Sequence, residues 1–173
     1  VRVVFPHTSP HPFALAALEE FAPGAERELI DPYRPEQYYE LLAGWWGDGE
    51  TFLIVEQDIE IHADVIPQLE VCDGDWCIFP YGGPGYGKNH GDGADHLLKR
   101  SLGCTRFSER LLKTLPSFMG DLPVRNWQRL DCEINPKLVR AGFTPCLHEP
   151  NVAHHHVYDG LCACGKEHPC SGS

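Results

Sequence analysis

The chain has 173 residues, with 14 lysines and arginines against 25 aspartates and glutamates, for a formal charge of −11. Its 42% hydrophobic content suits one packed core and excludes a disordered chain or a second full domain. The acidic balance argues against a protein that coats nucleic acid nonspecifically.

Residues 1–5 form an apolar, β-branched run broken only by Arg2, and predict a buried strand followed by the loop Pro6-His7-Thr8-Ser9. Pro12 opens a helix to about Phe21, with Leu15, Leu18 and Phe21 recurring on one side. Residues 28–31 read as a short strand ending at Pro32, and Pro35 starts a helix that stops near Gly47. Residues 51–55 are the clearest strand in the sequence.

This β-α-β-α-β opening predicts a single α/β domain with a mostly parallel central sheet flanked by helices. Ligands of such sheets gather at the carboxyl ends of the strands. That rule singles out the loop after Phe5, the region of Asp31, and Glu56-Gln57-Asp58.

The second half is less regular. Residues 75–80 and 102–107 read as strands, and Ser108 caps a short helix to about Leu115. Between them, residues 81–93 form a glycine-rich loop without a P-loop ending, read as a lid or acceptor-side loop. Asn126 starts a helix that Pro136 kinks and Gly142 ends. Residues 143–147 and 152–157 are expected to be extended. No apolar run approaches the roughly 20 residues of a membrane span. Residues 1–7 lack the layout of a signal peptide, so a soluble cytoplasmic protein is expected.

Glu56-x-Asp58-x-Glu60 is the sharpest chemical signal. If the strand continues, its period of two puts the three acids on one face, where a divalent cation with oxygen ligands relieves their repulsion. The plain alternative is a strand end whose acids face water. His154 and His156 share a face of an extended segment and can ligate the ion held by Asp58; the alternative is a surface strand. Asp131 lies on the inward stripe of its helix with Trp127, Leu130, Ile134 and Leu138. It is either a general base at the lip of a cleft or half of an ion pair with Arg106 or Arg129.

Lys99, Arg100, Arg106, Arg110 and Lys113 concentrate positive charge, as a nucleic-acid contact or a solvated helix surface. Cys72, Cys77, Cys104, Cys132 and Cys146 lie singly and read as reduced, partly buried thiols. Cys162, Cys164, His168 and Cys170 crowd the end of the chain, as a zinc site or a loose reduced tail.

The order and spacing of residues 54–59, 102–108, 127–131 and 142–156 resemble those of small GT-A glycosyltransferases from phage and viral-metagenome sequences. The resemblance implies a GT-A-like catalytic domain over residues 1–160, with 161–173 as a tail. It implies a nucleotide-sugar donor, UDP-sugar first among them, and a Mn²⁺ or Mg²⁺ ion on its diphosphate. Pro6, His7, Thr8 and Asp31 would line the nucleoside pocket and Glu56 would face the ribose or sugar. Asp58 with His154 or His156 would hold the metal, and Asp131 would be the base. Trp127 and Arg106 would meet the acceptor, a hydroxymethylated pyrimidine of phage DNA being one such acceptor and the infected cell's cytoplasm the setting. A metal-dependent phosphohydrolase or nuclease, and a zinc-stabilised interaction module, are the readings from other classes.

Overall fold

A computed structural model of the chain describes residues 1–81, 102–123, 125–127, 130–155, 157–158 and 161–162. The glycine-rich loop beyond Tyr81, Lys99, Arg100, Arg129, His156 and the tail residues Cys164, His168 and Cys170 lie outside them.

The fold is the expected α/β class. Strands β1 (Arg2–His7), β2 (Glu26–Leu29) and β3 (Phe52–Val55) alternate with helices α1 (Pro12–Phe21) and α2 (Gln37–Asp48). After the short β4 (Ile59–Glu60) come α3 (Val65–Val71), β5 (Trp76–Ile78), β6 (Cys104–Phe107) and α4 (Glu109–Thr114). The chain continues through α5 (Leu130–Arg140), β7 (Cys146–Leu147), β8 (Ala153–His154), β9 (Val157–Tyr158) and β10 (Leu161–Cys162). The central sheet runs β2-β1-β3-β6-β5-β7. β2, β1 and β3 are mutually parallel, β6 is antiparallel to both its neighbours, and β7 is parallel to β5. β4 pairs antiparallel with β8 in a small second sheet, and β9 with β10 in a third.

The alternation along β3 explains the two cores. Phe52 and Ile54 pack under α2, α4 and α5 with Trp46, Phe107 and Ile134, whereas Leu53 and Val55 face α1 and α3 with Leu18 and Leu69. Both faces are covered, so all four residues of β3 are buried. Among the described residues, no helix is long and apolar enough to cross a membrane.

Several expected boundaries shift for identifiable reasons. β1 runs through Pro6 to His7, because β3 pairs only with Arg2, Val3 and Val4 and needs no donor from the proline. β2 covers Glu26–Leu29 rather than 28–31, since it is an edge strand whose charged residues can face water. Asp31 lies beyond it, where its Oδ1 accepts the Tyr33 N–H at 2.9 Å and turns the chain. α2 continues past Gly47 and ends at Gly49, whose φ of +69° is the left-handed conformation glycine adopts without strain. The last helix begins at Leu130 and not at Asn126.

Ser108 caps α4 as expected. Its Oγ accepts the Leu111 N–H at 3.1 Å and donates to Asp75 Oδ1 at 2.6 Å. Arg110, and then the Ser108 hydroxyl, hold the Asp75 carboxyl below its usual range against the opposing effect of burial. Ser108→Ala should cost about 1–2 kcal/mol, read as a lower urea midpoint with an unchanged slope. An unchanged midpoint would show that the cap does not contribute.

Candidate functional site

The carboxyl ends of three adjacent parallel strands open onto one cleft of about 750 Å³, its open mouth included. β1 and the turn after it contribute Pro6, His7 and Thr8; the turn after β2 contributes Ile30, Asp31, Pro32 and Arg34. The end of β3 contributes Glu56, Gln57 and Asp58, with Tyr38 from α2 and Trp127 completing the lining. The cleft thus gathers all six residues expected for the donor, together with Trp127, which is 53% exposed.

The acidic triplet corrects one expectation. The strand does not continue past Val55, so Glu56, Asp58 and Glu60 do not share a strand face. The Ile59 N–H bonds the Glu56 carbonyl at 3.0 Å and closes a turn, and each acid meets its own partner. Tyr38 Oη lies 2.8 Å from Glu56 Oε1, His154 Nε2 lies 3.0 Å from Asp58 Oδ2, and His155 Nε2 lies 2.6 Å from Glu60 Oε2. The β4–β8 pairing, Ile59 opposite His154, brings the acids and histidines together across the chain. His155 is buried and stacks on His11 with ring centroids 4.3 Å apart. His156, the other expected metal ligand, lies outside the described residues.

The charge distribution around Glu56 is strongly asymmetric. Burial first, then the charges of Asp58 and Asp131, push its carboxyl up to about 8, while the Tyr38 hydroxyl bond works in the opposite direction. Burial and the Glu56 charge likewise raise the Tyr38 phenol, which therefore remains the donor. Asp131 sits half-buried in the first turn of α5, close enough for its charge to act on both groups.

Gln57 lies in the singled-out segment Glu56-Gln57-Asp58, but the sequence assigned it no role; it lines the cleft and braces its edge. Its Oε1 accepts the Thr8 and Ser9 N–H groups at 2.7 and 3.0 Å and the Thr8 hydroxyl at 3.1 Å. Its carbonyl accepts the His11 N–H at 2.8 Å, so one residue fastens the loop after β1 to the end of β3. His7 Nδ1, at the same edge, is buried with no hydrogen-bond partner among the described residues.

Arg106 is not at the cleft. It is buried in β6, where its guanidinium donates to the Cys72 carbonyl at 3.0 Å and approaches Cys77 Sγ at 3.3 Å. Of the other residues of that basic cluster, Arg110 pairs with Asp75 and Lys113 with Glu109, and Lys99 and Arg100 lie outside the described residues.

Cys72, Cys77, Cys104 and Cys146 are free, buried or half-buried thiols, as expected. Though separate along the sequence, Cys72, Cys77 and Cys146 meet in space, where with His148 they form a cluster that could hold a metal ion. The paired spacings Cys72-x4-Cys77 and Cys146-x-His148 were the available signal. The tail residues Cys162, Cys164, His168 and Cys170, read as a zinc site or a loose reduced tail, have no described side chains.

No family model matches the chain, and no curated protein matches it. Its fold is similar to that of A197 from STIV, with a TM-score of 0.54 at 12% identity over 96% of this chain and 92% of that one. It also aligns with a glycosyltransferase involved in the glycosylation of the major capsid of PBCV-1, with a TM-score of 0.46 at 12% identity over 88% and 92% of the two chains. The likeness to A197 is one of fold.

Proposed function

We propose that the chain is a metal-dependent glycosyltransferase that moves a sugar from a nucleotide-sugar, UDP-sugar first among them, to an acceptor hydroxyl. The observation that carries the reading is the convergence of Pro6, His7, Thr8, Asp31, Glu56 and Asp58 on one cleft at the carboxyl edge of parallel strands.

Asp58 Oδ2 and His154 Nε2 are hydrogen-bonded at 3.0 Å, and a carboxylate oxygen beside an imidazole nitrogen is a donor pair that a divalent ion can take once the shared proton is lost. Asp58 and His154 would hold Mn²⁺ or Mg²⁺, with donor diphosphate and water taking the remaining positions. When bound, the ion offsets the negative charge of the departing diphosphate.

The protein's own groups account for the rest. Asp131 takes the proton of the acceptor hydroxyl as its oxygen attacks the anomeric carbon, and the glycosidic electron pair leaves with the nucleoside diphosphate. Trp127, exposed at the lip, offers a flat apolar face for an acceptor ring such as a sugar or a modified pyrimidine. Arg110 and Lys113 are each paired with an acid among the described residues, so the contact proposed for a DNA acceptor is the Trp127 ring.

A thermal-shift panel of UDP, GDP and CDP with and without Mn²⁺ tests the reading. At a hundred times Kd the favoured diphosphate should add about 2.7 kcal/mol, or roughly 5–10 °C for a chain of this size. The shift should require Mn²⁺ and vanish in Asp58→Asn. Indifference to every nucleotide, or cleavage of a nucleotide-sugar without transfer, would overturn it.

A further inference from the structure

On the α1 and α3 side of the sheet, away from the cleft lining, four candidate ligands meet from three parts of the chain. Cys72 ends α3, Cys77 lies in the middle of β5, and Cys146 and His148 stand in and just after β7. Three sulfurs and one imidazole nitrogen all lie within 4.8 Å of one another. Cys72 Sγ is 3.6 Å from Cys146 Sγ and 3.5 Å from Cys77 Sγ. A zinc tetrahedron with Zn–S bonds of 2.3 Å has S···S edges of about 3.8 Å, so little movement separates these atoms from a ligand set.

The groups around the cluster act as outer partners of a metal site. Gln68 Nε2 donates to the Glu149 carbonyl at 2.8 Å, which fixes the amide so that Oε1 faces His148 Nδ1 at 3.2 Å. Nδ1 therefore carries the proton, and Nε2 is left as a lone pair, buried and without a hydrogen-bond partner among the described residues. That is the arrangement in which a histidine ligates metal through one nitrogen while the other is oriented by a polar neighbour. The Gly74 N–H points at Cys72 Sγ at 3.4 Å, and Arg106 Nη1 lies 3.3 Å from Cys77 Sγ. Three thiolates and one neutral imidazole around Zn²⁺ carry a net charge of −1, which the Arg106 guanidinium offsets. Gly74 packs closely against the cluster: a Cβ there would stand 3.0 Å from both Cys146 Cβ and Cys77 Sγ, close enough that these neighbours would have to shift by a few tenths of an ångström.

We propose that Cys72, Cys77, Cys146 and His148 form a structural zinc site that fastens the end of α3 and the edge strand β7 to β5. Four protein ligands leave no open position, which distinguishes a structural from a catalytic zinc. The need is evident in the fold. β7 has two residues and, among the described residues, a single neighbouring strand, yet the chain leaving it must reach β8 and hold His154 against Asp58.

The test uses the full reduced chain, stripped of metal and titrated with Co²⁺ and then Zn²⁺. To silence the tail, the background variant carries Cys162→Ser, Cys164→Ser and Cys170→Ser. One Co²⁺ per chain should bind with thiolate-to-cobalt charge-transfer absorption and the strong visible bands of tetrahedral cobalt, and one Zn²⁺ should displace it and raise the melting temperature. Adding Cys146→Ser should reduce the charge-transfer intensity from three thiolates to two. Gln68→Leu, which removes no ligand, should keep the spectrum and weaken zinc about 10- to 100-fold. It also covers the case in which Cys146→Ser fails to fold. Absence of the charge-transfer band in the tail-silenced chain, a band unchanged by Cys146→Ser, or zinc affinity unchanged in Gln68→Leu would overturn the site.

Discussion

Trp46→Ala should destabilise the protein by about 3–5 kcal/mol, the range for removing a large aromatic from a packed core. Trp46 is 1% exposed in α2, stacks on Phe118 with centroids 4.7 Å apart, and meets Phe107 at 5.3 Å. Its Nε1 also donates to the Leu115 carbonyl at 2.9 Å, tying α2 to the end of α4. The alanine variant leaves both a cavity and a carbonyl without its donor. For a chain of this length that predicts a melting temperature lower by about 6–20 °C. Trp46→Phe keeps most of the ring contacts and loses the hydrogen bond, so its cost should be about 1–2 kcal/mol. Trp127→Ala is the control: its ring is 53% exposed, and stability should move by no more than about 0.5 kcal/mol. Equal losses at Trp46 and Trp127 would contradict this account of the core.

What the sequence made legible follows from where its signals are local. β3 announces itself because Phe52, Leu53, Ile54 and Val55 are all buried between two layers of helices. α1 begins at Pro12 and ends at Phe21 as its pattern predicts, and Ser108 caps as its position predicts. The cleft was legible through topology: β1, β2 and β3 are parallel neighbours, so residues just past their ends must meet. β4 and β8 were not, since two residues each carry no measurable period. Reading the acids as one continued strand therefore assigned them a shared face, whereas the turn at Glu56 separates them. Tyr38 and Gln57 escaped for a related reason. A tyrosine on the apolar side of a helix and a glutamine between two acids acquire their roles only when another element crosses them. The cysteine cluster is the extreme case, because β5 and β7 are far apart along the chain and become neighbours only in the folded sheet.

Glu56→Gln should change how stability depends on pH. In the folded, metal-free protein the Glu56 carboxyl is pushed up to about 8 from an unfolded value of 4.5, by burial first and then by the charges of Asp58 and Asp131. A raised folded value means that the native state holds the proton more tightly than the unfolded chain. The resulting stabilisation is complete below pH 4.5, declines as pH rises, and is gone above about 8. The shift corresponds to at most about 5 kcal/mol, less as water enters the cleft. Glutamine keeps an oxygen to accept the Tyr38 hydroxyl but cannot ionise, so the variant should lose this part of the decline. Urea unfolding with chelator at pH 5, 6.5 and 8.5 measures it: wild type and variant should differ little at pH 5, and the variant should be the more stable at pH 8.5. Asp58→Asn should act in the same direction by a smaller amount, because it removes one neighbouring charge and leaves burial in place. Parallel pH profiles for wild type and Glu56→Gln would mean that Glu56 is ionised in the native protein, and that the cleft is more polar than its lining implies.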